Sequence, residues 1–343
     1  MRPIANRVDE PRQGKLNMSK SILVTGGFGF IGSHLVELLL ADGKKQVHVV
    51  DDLSTSPICV EKFVRQLRAG FSYDICAVEE YFRRPDRPRF DEVYHLAAVV
   101  GPVGVLKHSG EILRRTVNDT YAVSDYALRV GARLCDISTS EVYGGGRNGY
   151  CSESDSMIIS PRPSVRLEYS VAKLAAEVAL VNQTVSAKLH ATIIRPFNVA
   201  GPRQATSGGF VLPRFIRQAM SGEPLTVYGD GSMIRAFTYV GDIADGIVRS
   251  MERGTSGRIY NLGNPKNKTS ILELARHVQR IVNPKAEITF VDPKQLWGPL
   301  FEEANDKYPD SDRAVQELEW APQFGLEETI YKAAEYIRLG RCD

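Results

Sequence analysis

A tyrosine and a lysine stand at positions i and i+4 in Tyr169-Ser170-Val171-Ala172-Lys173, at the start of a stretch with helical periodicity. That spacing puts both side chains on one helix face. A phenol with an ordinary pKa of about 10 is a poor base at neutral pH, and a neighbouring cation stabilises its phenolate. The pair is a candidate proton-transfer unit, although a solvated helix face shows the same spacing. Upstream, Cys135-Asp136-Ile137-Ser138-Thr139-Ser140-Glu141-Val142-Tyr143-Gly144 reads as a strand ending in hydroxyls and one carboxylate. Parallel α/β sheets place reacting groups at such carboxyl ends. Thr139, Ser140, Glu141, Tyr169 and Lys173 are therefore the candidate catalytic set.

A second constellation specifies what the set would work beside. Ile22-Leu23-Val24-Thr25-Gly26-Gly27-Phe28-Gly29-Phe30-Ile31-Gly32 runs from an apolar strand through a glycine-rich turn into an apolar helix face at Leu35, Val36, Leu38 and Leu39. Gly26 permits a tight turn, Gly29 lets backbone approach a pyrophosphate at the helix N-terminus, and Gly32 lets the helix pack close to its strand. A following strand, Val47 to Val50, ends in Asp51, at the offset where an acid accepts hydrogen bonds from the adenosine ribose. A carboxylate there repels a ribose 2′-phosphate and no Arg follows it directly, so the expected cofactor is NAD rather than NADP. Phe30, Ile31, Asp74 and Ile75 complete this set together with Leu96, Ala97 and Ala98, where a strand ends in small residues. His95 in that strand reads as a packed, non-catalytic histidine.

The elements that position these groups alternate. Short apolar runs at 22–25, 47–50, 93–97, 133–137 and 191–195 are separated by helical periods near 31–41, 58–68, 111–130 and 169–187. This predicts an α/β fold with a doubly wound parallel sheet of Rossmann type and a smaller C-terminal substrate lobe. Residues 1–20 read as a mobile extension with Met18 an alternative start, and 21–197 as the dinucleotide domain. Residues 236–262 are expected to return to that domain, leaving 198–235 and 263–343 for the substrate lobe, with short helices near 210–221, 270–282 and 325–338.

Composition excludes several classes. Of 343 residues, 43% are hydrophobic and 24% charged, and the formal charge of +2 gives no electrostatic case for nucleic acid. No apolar run suggests a signal peptide or membrane anchor. The 5 cysteines form no C-x-x-C pair and their odd count makes a poor disulfide framework, which suits the cytoplasm. No metal site is expected.

Together the motifs T-G-G-F-G-F-I-G, H-L-A-A, S-T-S-E-V-Y-G, Y-S-V-A-K, R-P-F-N-V-A-G-P-R-Q, G-E-P-L-T-V-Y-G-D-G and R-A-F-T-Y-V-G-D resemble the extended short-chain dehydrogenase/reductase family, in particular its NAD-dependent nucleotide-sugar epimerases, dehydratases and decarboxylases. The resemblance runs from about Ser21 to about Ile337. It implies that Tyr169 takes the proton from the sugar O4, that Lys173 holds the nicotinamide ribose and lowers the tyrosine pKa, and that Thr139 hydrogen-bonds O4. It also implies a nucleoside diphosphate, most simply of a UDP-sugar, held by Asn198, Arg203, Arg235, Lys307 and Asp310. Relatives usually carry Arg where Lys307 stands, and an ammonium lacks the bidentate grip of a guanidinium. The same resemblance implies a homodimer formed by the helices near 111–130 and 169–187.

The first step implied is oxidation of the sugar at C4. Dehydratases of the family resemble S-T-D-E at the strand end; here Ser140 replaces the acid, and a serine is far too weak an acid to protonate a departing hydroxyl. Thr-Ser-Glu with Arg166 before the tyrosine resembles the UDP-glucuronate decarboxylases, although many UDP-sugar 4-epimerases look alike here. Decarboxylation is the main expectation, 4-epimerisation the alternative, and a catalytically silent NAD-binding scaffold the rival from another class. The apolar, Gly-rich loop 99–108, with Lys107 and His108, and the insertion after Gly144, with Arg147, Cys151 and Arg162, depart from the family pattern.

Overall fold

The computed structural model describes residues 19–144, 149–157, 159, 165–206, 209–292, 294–295 and 306–340. Arg147 and Arg162 of the insertion, Cys342, Met18 and nearly all of the N-terminal extension lie outside the described residues.

Seven parallel strands form the central sheet. They include β1 (Lys20–Thr25), β2 (Lys45–Asp51), β3 (Phe71–Ile75), β4 (Glu92–His95) and β5 (Arg133–Ile137), followed by the strands Ala191–Pro196 and Ile259–Leu262. The spatial order is Ile259–Leu262, Ala191–Pro196, β5, β4, β1, β2, β3. Chain order therefore reverses between β1 and β4, which opens a crevice at the carboxyl ends of these two strands. Ile22, Leu23 and Val24 are all fully buried, because helices cover both faces of a parallel sheet.

On one face, Ile22, Val24, Val49, Tyr94, Cys135 and Ile194 pack against Leu35, Val36 and Leu39 of α1 (Phe30–Leu40) and Ile243 and Ile247 of the helix Val240–Arg253. The intervening helices are α2 (Val60–Val64), α3 (Val78–Arg83), α4 (Pro102–Lys107), α5 (Ile112–Val130) and α6 (Val165–Ser186). Leu23, Val93, Leu134 and Ile193 face the opposite way, onto Tyr81 of α3, Val123 and Tyr126 of α5 and Leu180 of α6. A separate core joins Phe215, Leu274, Val278 and Ile330 of the helices Val211–Ser221, Ile271–Val282 and Leu326–Arg338 to Leu225 and Val227.

Two strands depart from the periodicity reading. Phe71–Ile75 was not among the expected strands: its alternation is weak and it lies at the sheet edge, where Tyr73 is 43% and Ile75 53% exposed, so no continuous apolar run marks it. Within the returning segment, Ile259–Leu262 closes the opposite edge beside Ala191–Pro196, while Thr238–Tyr239 pairs instead with Val199–Ala200. The helical period at 58–68 yields an α-helix only over Val60–Val64.

Candidate active site

The glycine turn forms because its geometry excludes side chains at two points. Gly26 has φ of 72°, and a Cβ there would meet the Ala97 amide nitrogen at 2.7 Å. At Gly32 a Cβ would meet the Gly26 carbonyl oxygen at 2.1 Å, so the first turn of α1 sits directly on the end of β1. Gly29 takes the N-cap position of α1 with no side-chain cap, and no acid occupies the first turn. The leading amides of α1, at Phe30, Ile31 and Gly32, thus lack intrahelical acceptors and can take an anion.

Asp51, 8% exposed, accepts from Phe28 N at 2.9 Å and Leu53 N at 2.8 Å, one bond on each carboxylate oxygen. Each oxygen keeps a lone pair for a ribose hydroxyl. Burial raises its pKa, and the two amides oppose that rise. Ile75 lies opposite Asp51 on β3, exposed as an adenine contact requires, whereas the Asp74 carboxylate is drawn into an ion pair with Arg84 at 2.8 Å and lies 3.0 Å from the His48 ring. Leu96 and Ala97 follow β4, their amides bonded to the Thr25 carbonyl and hydroxyl, and with Ala98 they line the crevice beside Gly26. These residues fit a dinucleotide: a side-chain-free cradle at a helix N-terminus, with a buried carboxylate across it.

The candidate catalytic groups converge at the end of β5. Glu168 accepts from Gly110 N and Leu113 N, fixing the start of α6 against the chain entering α5. The Tyr169 ring packs on Val105, Ile112 and Ala172, and its hydroxyl hydrogen-bonds the Thr139 side chain. Thr139 also accepts from Glu141 N at 3.2 Å, holding the single turn Ser140–Tyr143 in place. Lys173, 1% exposed, donates from Nζ to the Ile137 carbonyl at 2.7 Å. Burial pushes the Tyr169 phenol well above its ordinary pKa, Glu141 and Asp136 add to the rise, and only the Thr139 bond opposes it. The Lys173 ammonium is held by the Ile137 carbonyl at the strand end.

The substrate-side residues divide. Asn198 has φ of 37°, and its Nδ2 is buried without a hydrogen-bond partner, a donor left for a ligand. Arg235 lies on Ile234–Ala236, which pairs with Lys268–Ser270 and bridges to Lys307. Asp310 follows Tyr308–Pro309, a two-residue strand beside Tyr150–Cys151, and its carboxylate accepts from Asp312 N at 3.0 Å. Lys307 is 1% exposed and sets its Nζ 2.5 Å from Glu141 Oε1, so it meets the candidate catalytic carboxylate rather than the solvent rim. Arg203 is not brought to this cluster: it pairs with Glu37 of α1 at 2.5 Å and stacks over Phe63 at 5.3 Å. Arg166 is placed within α6.

Sequence reasoning passed over the polar layer beneath the site. Glu177 and Arg195 are both buried and joined by two hydrogen bonds, at 2.9 and 2.5 Å; Ser138 donates to the same carboxylate, and Arg195 continues to Tyr143 and Asn261. The available signal was charge inside otherwise apolar strands, at Asp136 and Arg195. His95 is buried against Thr25, with Nδ1 2.7 Å from the hydroxyl, and burial pushes its pKa down to about 3, as a packed neutral histidine requires. Among the described residues, no three His, Cys, Asp or Glu side chains converge as a metal site would require.

A glycine cradle at a helix N-terminus, a ribose-side carboxylate and a Thr-Tyr-Lys set at the sheet's carboxyl edge together define a nicotinamide-dinucleotide enzyme site. The sequence pattern of the NAD-dependent epimerase/dehydratase family matches residues 22–263, and the chain belongs to that family. It is an NAD-dependent enzyme of this family. It is 31% identical over 324 residues to a UDP-N-acetyl-alpha-D-glucosaminuronate decarboxylase of Bacillus cytotoxicus, covering 94% of this chain and 98% of that one. With UDP-glucuronic acid decarboxylase 1 of Xenopus tropicalis it shares 34% identity, over 93% of this chain and 72% of the relative. Among solved structures, the UDP-glucuronic acid 4-epimerase of Bacillus cereus in complex with NAD superposes with a TM-score of 0.77 at 26% identity, over 94% and 99% of the two chains.

Proposed function

We propose that this enzyme acts on a UDP-sugar carrying a C6 carboxylate and decarboxylates it after oxidation at C4. The observation that carries this reading is the pairing of buried Lys307 with the half-buried Glu141 beside Thr139 and Tyr169, which sets one carboxylate and one ammonium at the strand end. NAD, when bound, supplies the hydride acceptor for C4. Tyr169 takes the O4 proton and Thr139 orients that oxygen, with Lys173 beneath them. A 4-ketone is β to the C6 carboxylate, so the C5–C6 bond breaks with its electron pair delocalised onto the ketone oxygen. Glu141 and Lys307 then manage the proton that C5 receives. Asn198, Arg235 and Asp310 hold the diphosphate and nucleotide ribose, in keeping with the unpartnered Asn198 amide. The similarity to decarboxylases supports this chemistry.

The second reading, 4-epimerisation of the same substrate class, is favoured by the similarity to the Bacillus cereus 4-epimerase. Incubation with NAD and UDP-, dTDP-, GDP- and CDP-sugars, followed by mass spectrometry, separates loss of carbon dioxide, loss of water and unchanged mass. UDP-glucuronate converted to its 4-epimer without any pentose overturns the decarboxylase reading.

The functional unit in this proposal is a cytoplasmic homodimer. Tyr121 of α5 and Val178 of α6 are 46% and 54% exposed, and with Val171, Leu174 and Ala175 they line an apolar groove suited to a second copy of the same helices. Cys59, Cys76 and Cys135 are free thiols, and no described helix is long and apolar enough to cross a membrane.

A further inference from the structure

Thr25, His95 and Asp136 are direct cross-strand neighbours on β1, β4 and β5, and they point to the sheet face covered by α5 and α6. Asp136 is 1% exposed, and neither of its carboxylate oxygens has a hydrogen-bond partner among the described residues. His95 Nε2 stands 4.0 Å from Oδ1, but the ring is neutral and offers no charge. A buried carboxylate left in this condition costs stability, and a leucine or valine would suit the strand better. The cost needs a return elsewhere.

We propose that Asp136 is a positioning residue, the buried counter-charge that holds the Lys173 ammonium under the candidate reaction centre. The supporting geometry is one of elimination among neighbours. Lys173 is almost wholly buried, and its Nζ donates to the carbonyl of Ile137, the residue next to Asp136. A buried ammonium requires an anion. Glu177, one turn further along α6, is already neutralised by Arg195 and bonded by Ser138, and Glu141 is taken by Lys307. Asp119 on α5 interacts with Arg115 and the Glu79 backbone. Asp136 is the uncommitted carboxylate. Lys173 acts on it attractively and Glu177 repulsively, while burial raises its pKa to about 6. Asp136 also adds, after burial and Glu141, to the rise in the Tyr169 pKa.

A double-mutant cycle tests this without any sugar substrate. Wild type, Asp136→Asn, Lys173→Gln and the double variant are unfolded in urea at about pH 8, where Asp136 is ionised, and at about pH 5, where it is protonated. Lys173→Gln should destabilise far more at the higher pH, because it strands a buried anion, and adding Asp136→Asn should restore most of that loss. NAD titration supplies a second readout. In Asp136→Asn the alkaline limit of NAD binding should move to lower pH, with roughly tenfold weaker binding at the wild-type limit, and Asp136→Glu should move it back. Additive effects in the cycle, or an unmoved alkaline limit, would overturn the proposal. Should Asp136→Asn fail to fold, Asp136→Ser takes its place, and equal destabilisation by Lys173→Gln at both pH values is by itself decisive against it.

Discussion

Lys307 Nζ lies 2.5 Å from Glu141 Oε1, which joins a residue from the C-terminal part of the chain to the turn that follows β5. The contact depends on Tyr308–Pro309 lying beside Tyr150–Cys151, so that the two halves of the site meet through a strand pair of two residues. If the pair manages a proton at C5, Glu141→Gln should slow product release from UDP-glucuronate much more than it slows the appearance of NADH. Single-turnover absorbance at the NADH band, read beside mass spectrometry of the sugar, measures both. Both hydride steps nearly intact, with no carbon dioxide formed by wild type, would instead mark an epimerase.

Tyr169→Phe removes only the phenol oxygen, leaving a ring already packed on Val105, Ile112 and Ala172. Turnover should fall by at least roughly 100-fold, the contribution of a general base, with NAD affinity retained. Near-normal turnover by the variant would exclude the proposed mechanism.

Asp51 accepts from the glycine turn and from Leu53 while facing the expected ribose position. Asp51→Ala should weaken NAD binding at least about tenfold, since hydrogen bonds to charged groups are worth about 1.5–3 kcal/mol. Its preference for NAD over NADPH should narrow as well. Isothermal titration with both cofactors tests this, and an unchanged NAD affinity would show that the carboxylate serves only the turn.

Asp119 gives a stability prediction with a definite sign. Burial raises its folded-state pKa from the ordinary carboxylate range to about 6, so the folded protein holds the proton more tightly than the unfolded chain does. The resulting stabilisation is full below the unfolded value and is lost as pH rises through about 6. At about pH 8 the ionised carboxylate is a liability, and Asp119→Asn should raise stability there by about 1–3 kcal/mol with little effect near pH 4. Urea melts at the two pH values provide the measurement, and equal shifts at both would refute the assignment.

The apolar groove of α5 and α6 predicts that Val178→Glu, placing a charge at a 54% exposed site, leaves the fold intact and dissociates the dimer. Sedimentation at micromolar concentration would reveal it, and a monomeric wild type would remove the basis for the proposed homodimer.

Local chemistry was readable from the residues themselves. Gly26 and Gly32 state their backbone role by type and spacing, because backbone geometry is a local property, and the run of Ile22 to Val24 announces a strand buried on both faces. Likewise Tyr169 and Lys173 share a helix face by periodicity alone. The edge strand Phe71–Ile75 was not legible, since half-exposed residues carry no strong pattern. Which partner each charge finds was also beyond reach. Arg203 turns to Glu37, Lys307 to Glu141 and Lys173 to Ile137, each across sequence separations that only the packed fold closes. The same holds for Asp136, one letter in a strand until burial strips away its water. Desolvation and long-range pairing are properties of the three-dimensional arrangement, and so the tertiary structure alone decides which charges are compensated and which stand ready for a ligand.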